Sequence, residues 1–350
     1  MVQCRITDWQ GKTTHKKKRG FSTKKEAFEW ERQLLNKSKA DVGMLFSDFV
    51  EIYFDDMKHR LRASTVENKH WIVDKKITPI FGKKPLSQIT STDIRKWQNG
   101  LISYLDENGN GYSQTYLKSV NNQLTAIFNY AVKYYNLAEN SCHKAGSMGK
   151  KDADEMLFWT WEEFNTFIPH LEYKPQAYTA FITLYYTGMR IGELTALTPA
   201  DIDLAKKTIT INKSYQRLNG EGIISPPKTP KSNRVITIPD ALCRCLKSYM
   251  NRTYALEKND RLFPFTNHFI RHEMDKGCLK SGVKRIRVHD IRHSHASLLI
   301  DMGFTPLLIA ERLGHEKVET TLQTYSHLYP NKQNEVAEKL DLLTANVANI

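Results

Sequence analysis

The stretch that most limits what this chain can fold into is YSQTYLKSVNNQLTAIFNYAVKYY, at residues 112–135. Its apolar residues recur at spacings of three and four, and they are Leu117, Val120, Leu124, Ile127, Phe128 and Ala131. This period predicts a long helix with one buried face. Amphipathic stretches at 45–57, 64–77 and 90–105 can cover that face. We therefore predict a helical domain over residues 44–142.

The first 43 residues have a different character. VQCRIT and KTTHKKKRGF are typical of two strands around a turn, and Thr23 with Glu26 forms a capping-box pattern that opens a helix. Eleven Lys and Arg residues stand against five Asp and Glu in residues 1–43, which gives a net charge of +6. A solvated charge run is one interpretation. The second, which we favour, is a small sheet that contacts DNA phosphates through Lys16, Lys17, Lys18 and Arg19.

Residues 143–155 are small, polar and charged, as in a linker. In residues 156–350, YTAFITLYYTG is typical of a buried helix, and KKTITI and NRVITIP alternate like strands. QRLNGEG and PPKTPKS read as turns, and helix resumes from Val288. Overall the pattern predicts a multidomain, mainly α protein with an α+β third domain. A C-terminal helix with one apolar face can pack on its own domain or on a neighbouring subunit, and its apolar residues are Val336, Ala337, Leu340, Leu343 and Val347.

The net charge of +13 and the pI near 9.3 indicate a polyanionic partner, either nucleic acid or an anionic membrane. No run of 18 apolar residues predicts a membrane span, and the N-terminus lacks the apolar core of a signal peptide. The five cysteines are odd in number and contain no CxxC, which favours reduced thiols. These features predict a cytoplasmic protein without a membrane span, and of the two polyanions we favour nucleic acid, with no membrane as partner.

Two arginines of the third domain stand at predicted helix starts. Arg190 follows an apolar helix, and a buried arginine needs an anion, which a salt bridge to Glu193 could also supply. His289 and Arg292 share a face where a helix begins, and free N–H groups at such a start favour anions. His289 and His293 also invite comparison with an HExxH metal site, but Arg292 between them would repel a cation. We expect no metal there.

Three further side chains complete the candidate set. His315 follows Gly314 at a predicted helix end, and Lys228 lies in a predicted hairpin turn. Tyr325 follows His315 by ten residues, and its hydroxyl is a poor nucleophile unless positive charge activates it. Phosphoryl transfer needs such charge on the non-bridging oxygens. The cations could therefore hold a phosphodiester for attack by Tyr325.

Three motifs occur in the order TGMRIGELTAL, HDIRHSHASLL and LGHEKVETTLQTYSHL. Together they closely resemble the tyrosine recombinase (phage integrase) family, and most of all the integrases of temperate phages and of conjugative transposons of Gram-positive bacteria. The resemblance covers essentially the whole chain. It implies an arm-type DNA-binding domain at 1–43, a core-binding domain at 44–142 and a tyrosine-recombinase catalytic domain at 156–350.

The resemblance also implies roles for single residues. Its motifs match the six residues Arg190, Lys228, His289, Arg292, His315 and Tyr325, the last as nucleophile. Lys231 is a rival for the role of Lys228, and Tyr329 is a rival nucleophile, although Pro330 disfavours a helix there. The implied reaction leaves a 3′-phosphotyrosine and a free 5′-hydroxyl, and needs neither ATP nor a metal.

The implied partners are double-stranded DNA with core-type and arm-type sites, three further subunits in a homotetramer, an excisionase and a host DNA-bending protein. Two other functions remain open from the sequence. A type IB topoisomerase shares the chemistry but does not need an arm-type domain to bridge separate sites. A non-enzymatic DNA-binding regulator would not need all six residues.

Overall fold

The computed structural model describes residues 2–7, 13–21, 23–28, 30–31, 43–150, 156–218, 220–227 and 229–328. The chain divides into two compact units, Met1–Asp154 and Glu155–Ile350. Lys228, Tyr329, Pro330 and the predicted C-terminal helix lie outside the described residues. In the part that is described, no helix is both long and apolar enough to cross a membrane.

The N-terminal unit begins with the predicted pair of antiparallel strands. Strand β1 is Val2–Thr7 and β2 is Thr13–Lys18, with Val2 opposite Lys18. Residues 24–28 are helical, and the N–H of Glu26 donates to Thr23 Oγ1 over 3.2 Å. The cap predicted from the sequence therefore forms on its Thr23 side.

Residues 46–145 of this unit are mainly helical, and their core is the predicted one. Their bounds are α1 Phe46–Met57, α2 Ala63–Ile72, α3 Thr78–Phe81, α4 Ser91–Ile102, α5 Gln114–Tyr134 and α6 Ser141–Ala145. A π-helical turn, Val73–Ile77, joins α2 to α3. The six apolar residues of the α5 stripe are all buried, at 0–2% exposure. A capping box between Thr90 and Asp93 starts α4.

The segment predicted as a linker begins inside this core. Helix α6 covers residues 141–145, and Cys142, Ala145 and Met148 are buried among the side chains of the other helices. The burial of these three apolar side chains outweighs the polar character of the segment as a whole. Residues 151–155 lie outside the described residues, and the domain boundaries stay a prediction.

The C-terminal unit combines helices with small antiparallel sheets. Its helices are α7 Trp161–Phe167, α8 Pro175–Thr187, α9 Ile191–Ala196, α10 Asp240–Arg252, α11 Asn267–Ser281, α12 Ile291–Asp301, α13 Pro306–Leu313 and α14 Val318–Tyr325. One sheet has the order β3-β4-β7, formed by Ile202–Asp203, Thr208–Ile211 and Arg234–Thr237. The mainly α fold with an α+β third domain is confirmed.

Another sheet replaces a predicted turn. QRLNGEG is predicted as a turn throughout, but β5 Ser214–Leu218 and β6 Glu221–Ser225 pair across it, with Leu218 opposite Glu221. Only residues 219 and 220 separate the strands, and they read Asn-Gly in the sequence, which is the strongest signal for a two-residue hairpin. Gly220 has a φ of +86°, as such a loop requires.

Helix α8 forms the centre of the core and leads directly to the site. Nine of its thirteen residues are buried, and it ends at Gly188, whose φ is +62°. A Cβ on Gly188 would lie 2.6 Å from the ring of His295, so only glycine fits here. The tight turn brings Arg190 to the start of α9.

Candidate active site

The structure places five of the six predicted site residues at element ends of the C-terminal unit. Arg190 precedes α9, and Arg292 is the second residue of α12. His289 lies in the 3-10 turn Val288–Asp290, His315 follows α13 after Gly314, and Tyr325 ends α14. The sixth, Lys228, lies outside the described residues.

Arg190 makes the salt bridge to Glu193 that the sequence left open. Its Nη1 lies 2.9 Å from Glu193 Oε1, and its backbone N–H donates to Oε2 over 2.9 Å. Burial alone would raise the pKa of Glu193, but hydrogen bonds and charge from Arg234 and Arg190 outweigh it and lower that pKa. Glu193 is therefore a carboxylate. The Arg190 side chain remains 39% exposed, so part of its guanidinium faces solvent.

Arg292 is a buried cation held by backbone carbonyls. It is 4% exposed, and its Nη1 and Nη2 donate to the carbonyls of Gly188 and Leu313 over 2.8 and 2.7 Å. Burial, followed by repulsion from Arg190, lowers its pKa to about 9. It is still charged at neutral pH. Because carbonyl dipoles offset a full charge only in part, this position favours an anion.

His315 is fixed by a threonine of α14. Its Nδ1 lies 2.8 Å from Oγ1 of Thr321, which is fully buried. Burial, followed by repulsion from Arg292 and Arg190, lowers the pKa of His315 to about 4. The ring is neutral at pH 7 and can still donate one hydrogen bond.

Tyr325 is 1% exposed, and its hydroxyl lies 2.7 Å from Nδ1 of His293. Burial raises the pKa of Tyr325 to about 12, although Arg292 acts in the opposite direction. Burial and the neighbouring His289 lower the pKa of His293 to about 4. A neutral imidazole with its proton on Nε2 can accept the tyrosine proton at Nδ1.

His289 sits beside this pair but faces outward. Its ring centroid lies 5.8 Å from that of His293, in a T-shaped arrangement, and the residue is exposed. Partial desolvation and the charge of Arg292 lower its pKa. The two residues of the predicted HxxR pair are close enough for the charge of Arg292 to lower the pKa of His289, but the histidine that contacts Tyr325 is His293.

Four further residues contact the predicted site residues directly or, for Arg234, through Glu193, but are not predicted as part of the site from the sequence. They are Glu193, Arg234, His293 and Thr321. From the sequence, Glu193 is only a competing salt-bridge partner, and His293 is considered only as a metal ligand. A local signal for a role of His293 in the site is its position directly after Arg292. The described residues contain no group of three or more His, Cys, Asp or Glu side chains that could hold a metal ion. Chemically the site offers cations, neutral imidazoles and the phenolic hydroxyl of Tyr325.

The predicted phosphate-binding residues of the N-terminal unit lie at the end of β2. Lys17, Lys18 and Arg19 are exposed, and Lys16 pairs with Cys4 through the backbone. Lys18 Nζ lies 5.5 Å from the ring centroid of Phe21. Their contact with DNA stays a prediction.

Comparison with known proteins now identifies the class. The phage integrase family pattern matches residues 158–332, a phage integrase N-terminal SAM-like domain matches 45–102, and an arm DNA-binding domain matches 1–38. The ICEBs1 integrase of Bacillus subtilis is 30% identical over 91% of this chain and 90% of its own length. A XerC-like tyrosine recombinase of Caldanaerobacter subterraneus is 27% identical over 95% of this chain and 93% of its own.

Solved structures agree on the fold. The Tn1549 transposon integrase with transposon right-end DNA superposes with a TM-score of 0.67 at 17% identity, over 86% of this chain and 100% of that one. A lambda integrase tetramer on a Holliday junction gives 0.59 at 17% identity, over 89% and 93%. The chain belongs to the phage integrase family. Within it, the chain is a tyrosine recombinase, an enzyme of site-specific DNA integration.

Proposed function

We propose that Tyr325 is the nucleophile. The scissile phosphate would be bound by the arginines and histidines of the predicted set, which are Arg190, His289, Arg292 and His315. The observation that supports this proposal is the placement of the Tyr325 hydroxyl 2.7 Å from an imidazole nitrogen and near enough to Arg292 for the charge of this arginine to lower the pKa of Tyr325 against the effect of burial. Preorganised donors stabilise the charge that develops on phosphoryl oxygens.

In the proposed step the Tyr325 oxygen forms a bond to phosphorus while the bond to the 5′-oxygen breaks. The tyrosine proton leaves to a base, and Lys228 gives a proton to the 5′-oxygen. The products are a 3′-phosphotyrosine and a free 5′-hydroxyl. A 5′-hydroxyl from a second DNA strand reverses the step, so the bond energy is kept and no ATP is consumed.

The partners follow from the same proposal. The chain would bind core-type sites through its helical and C-terminal domains, and arm-type sites through the basic strand β2 with Lys16, Lys17, Lys18 and Arg19. A homotetramer would carry out the two strand exchanges, as the lambda integrase tetramer on a Holliday junction suggests. We also propose an excisionase, a host DNA-bending protein and a cytoplasmic location on DNA.

The decisive experiment traps the covalent intermediate on a nicked suicide substrate. Wild-type protein should form a covalent complex, and Tyr325→Phe should bind the same DNA but form none. If Tyr325→Phe still traps DNA, the nucleophile is another residue, and Tyr329 becomes the candidate. A two-site assay separates recombination from relaxation, because a topoisomerase would relax supercoils without joining two sites.

Deleting residues 1–43 tests the arm-type domain. The truncated protein should still cleave an isolated core site but should not recombine. On DNA that contains arm-type sites, every phosphate that the shortened protein no longer neutralises should reduce the slope of log K against log salt by about 0.9. Intact integration with an unchanged slope would show that the segment is only a solvated extension.

A further inference from the structure

Arg234 is the first residue of β7, and its side chain is 6% exposed. Its Nη2 donates to Glu193 Oε2 over 2.8 Å, and its Nη1 donates to Glu193 Oε1 over 3.2 Å. Nη1 also donates to the carbonyl of Ser232, over 3.0 Å, and Nε donates to the carbonyl of Arg312, over 2.9 Å. One arginine therefore joins three separate parts of the C-terminal unit.

The carboxylate of Glu193 is fully used. It accepts two hydrogen bonds from Arg234 and two from Arg190, one of these from the backbone. A carboxylate offers about four lone-pair positions. Because Arg234 holds the bidentate position, the side chain of Arg190 makes a single hydrogen bond to Glu193. Its other N–H groups are then available to an anion.

The same side chain reaches the loop that carries His315. Nη1 of Arg234 lies 3.0 Å from where a Cβ on Gly314 would stand, so it packs directly on the end of α13. Arg234 binds the carbonyl of Arg312, and Arg292 binds the next one, of Leu313, over 2.7 Å. Unsatisfied carbonyls at a helix end carry partial negative charge, which suits both arginines.

We propose that Arg234 is a positioning residue of the recombination site. It occupies the bidentate face of Glu193, which directs Arg190 toward the scissile phosphate, and it fixes the helix end that presents His315. The proposal rests on the proposed function above. The side chain of Arg234 does not need to touch DNA.

The first test is a double-mutant comparison of cleavage rates under single turnover. Arg234→Lys keeps a positive charge beside Glu193 but cannot form the fork. We expect normal binding of core-site DNA and cleavage roughly 10–100-fold slower, because misplaced reacting groups cost factors of this size. In an Arg190→Ala background the same change should slow cleavage by a clearly smaller factor, because the part of its effect that passes through Arg190 is then gone and only the part that passes through His315 remains. Multiplying defects would overturn the proposal.

The second test uses DNA with a neutral methylphosphonate at the scissile position. One negative oxygen is then missing, so a badly aimed Arg190 should matter less. The defect of Arg234→Lys should shrink by at least tenfold on this substrate, as should that of Arg190→Ala. The ratio of the cleavage rates that one preparation gives on the two substrates does not depend on its folded fraction. An equal defect on both substrates would show a purely structural role.

Two controls complete the design. Arg217→Lys changes an exposed arginine of β5, which donates to the carbonyl of Gly220 over 2.8 Å, and it should leave both rates unchanged. If Arg234→Lys does not fold, Glu193→Gln applies the same test from the other partner. Wild-type protein that does not cleave at all refutes the proposed function. Wild-type cleavage with full Arg234→Lys activity refutes only the inference.

Discussion

Replacing His293 by alanine would remove the acceptor that lies 2.7 Å from the Tyr325 hydroxyl. The pKa of Tyr325 is raised to about 12. At pH 7 only about one tyrosine in 10⁵ would be ionised, which corresponds to about 7 kcal/mol for ionisation before attack. A base that takes the proton during attack avoids much of this cost.

The size of the expected defect follows from that comparison. General base catalysis contributes roughly 10²–10⁴-fold, so His293→Ala should slow cleavage by this factor at pH 7. The pKa of His293 is lowered to about 4, which keeps the ring unprotonated and able to accept at neutral pH. Negative charge from bound DNA would raise that pKa and strengthen the base.

The assay is single-turnover cleavage of a suicide substrate between pH 6 and 9. Wild-type cleavage should be nearly flat at every pH above the pKa of His293 in the DNA complex, because the ring is unprotonated there. Cleavage by His293→Ala should rise by up to tenfold per pH unit, because hydroxide must then take the proton. His289→Ala is the comparison variant, because it removes the neighbouring imidazole that the motif match also places in the site, and its cleavage should keep a flat pH profile. A His293→Ala rate within threefold of wild type, with a flat profile, would refute the assignment, and a sloping His289→Ala profile would transfer the role to His289.

Three further outcomes are expected. Cleavage should persist in excess EDTA, because the described site consists of arginines and histidines rather than clustered carboxylates. A loss of cleavage in EDTA that added Mg²⁺ reverses would contradict this. Cleavage by Lys228→Ala should be slow on normal DNA and nearly normal on DNA whose bridging 5′-oxygen is replaced by sulfur, because a thiolate leaves without protonation. If sulfur rescues Lys231→Ala instead, the general acid is Lys231. In urea unfolding, the free energy of unfolding should fall as the pH is lowered from 6.5 toward 4. The folded-state pKa values of His293, His295 and His315 are about 4, 3 and 4, below the ordinary 6.5. In this pH range the unfolded chain therefore binds protons that the folded chain does not. The slope of this free energy against pH should reach up to about 4 kcal/mol per pH unit for three groups, and it should be smaller in His295→Gln. An unchanged slope in that variant would contradict the explanation by buried histidines.

Local pattern is enough to predict much of the fold. The α5 stripe and the cap at Thr90 depend on residues three or four positions apart, so the sequence displays them directly. The hairpin of β5 and β6 differs from the turn predicted over QRLNGEG, although its Asn-Gly loop is also a local signal. Capping and periodicity are short-range effects, and they are visible without knowledge of the rest of the chain.

The contacts inside the site are not predictable in the same way. Glu193 can be paired with Arg190 by its spacing of three, but its second partner, Arg234, lies 41 residues away. His293 and Tyr325 are 32 residues apart. Such pairs depend on how α9 lies against β7 and on how α14 lies against α12, which periodicity does not determine.

The free enzyme carries unrelieved positive charge at its centre. Burial is the largest cause of the lowered pKa of Arg292 and of Arg312, and repulsion from Arg190 or Arg234 adds to it. Glu193 is a single carboxylate between Arg190 and Arg234, so one positive charge of that pair remains unbalanced. A phosphodiester entering this pocket would relieve the repulsion that folding imposes. The same charges would then already be in place when the transition state adds negative charge to the phosphoryl oxygens, and no reorganisation would be needed at that moment.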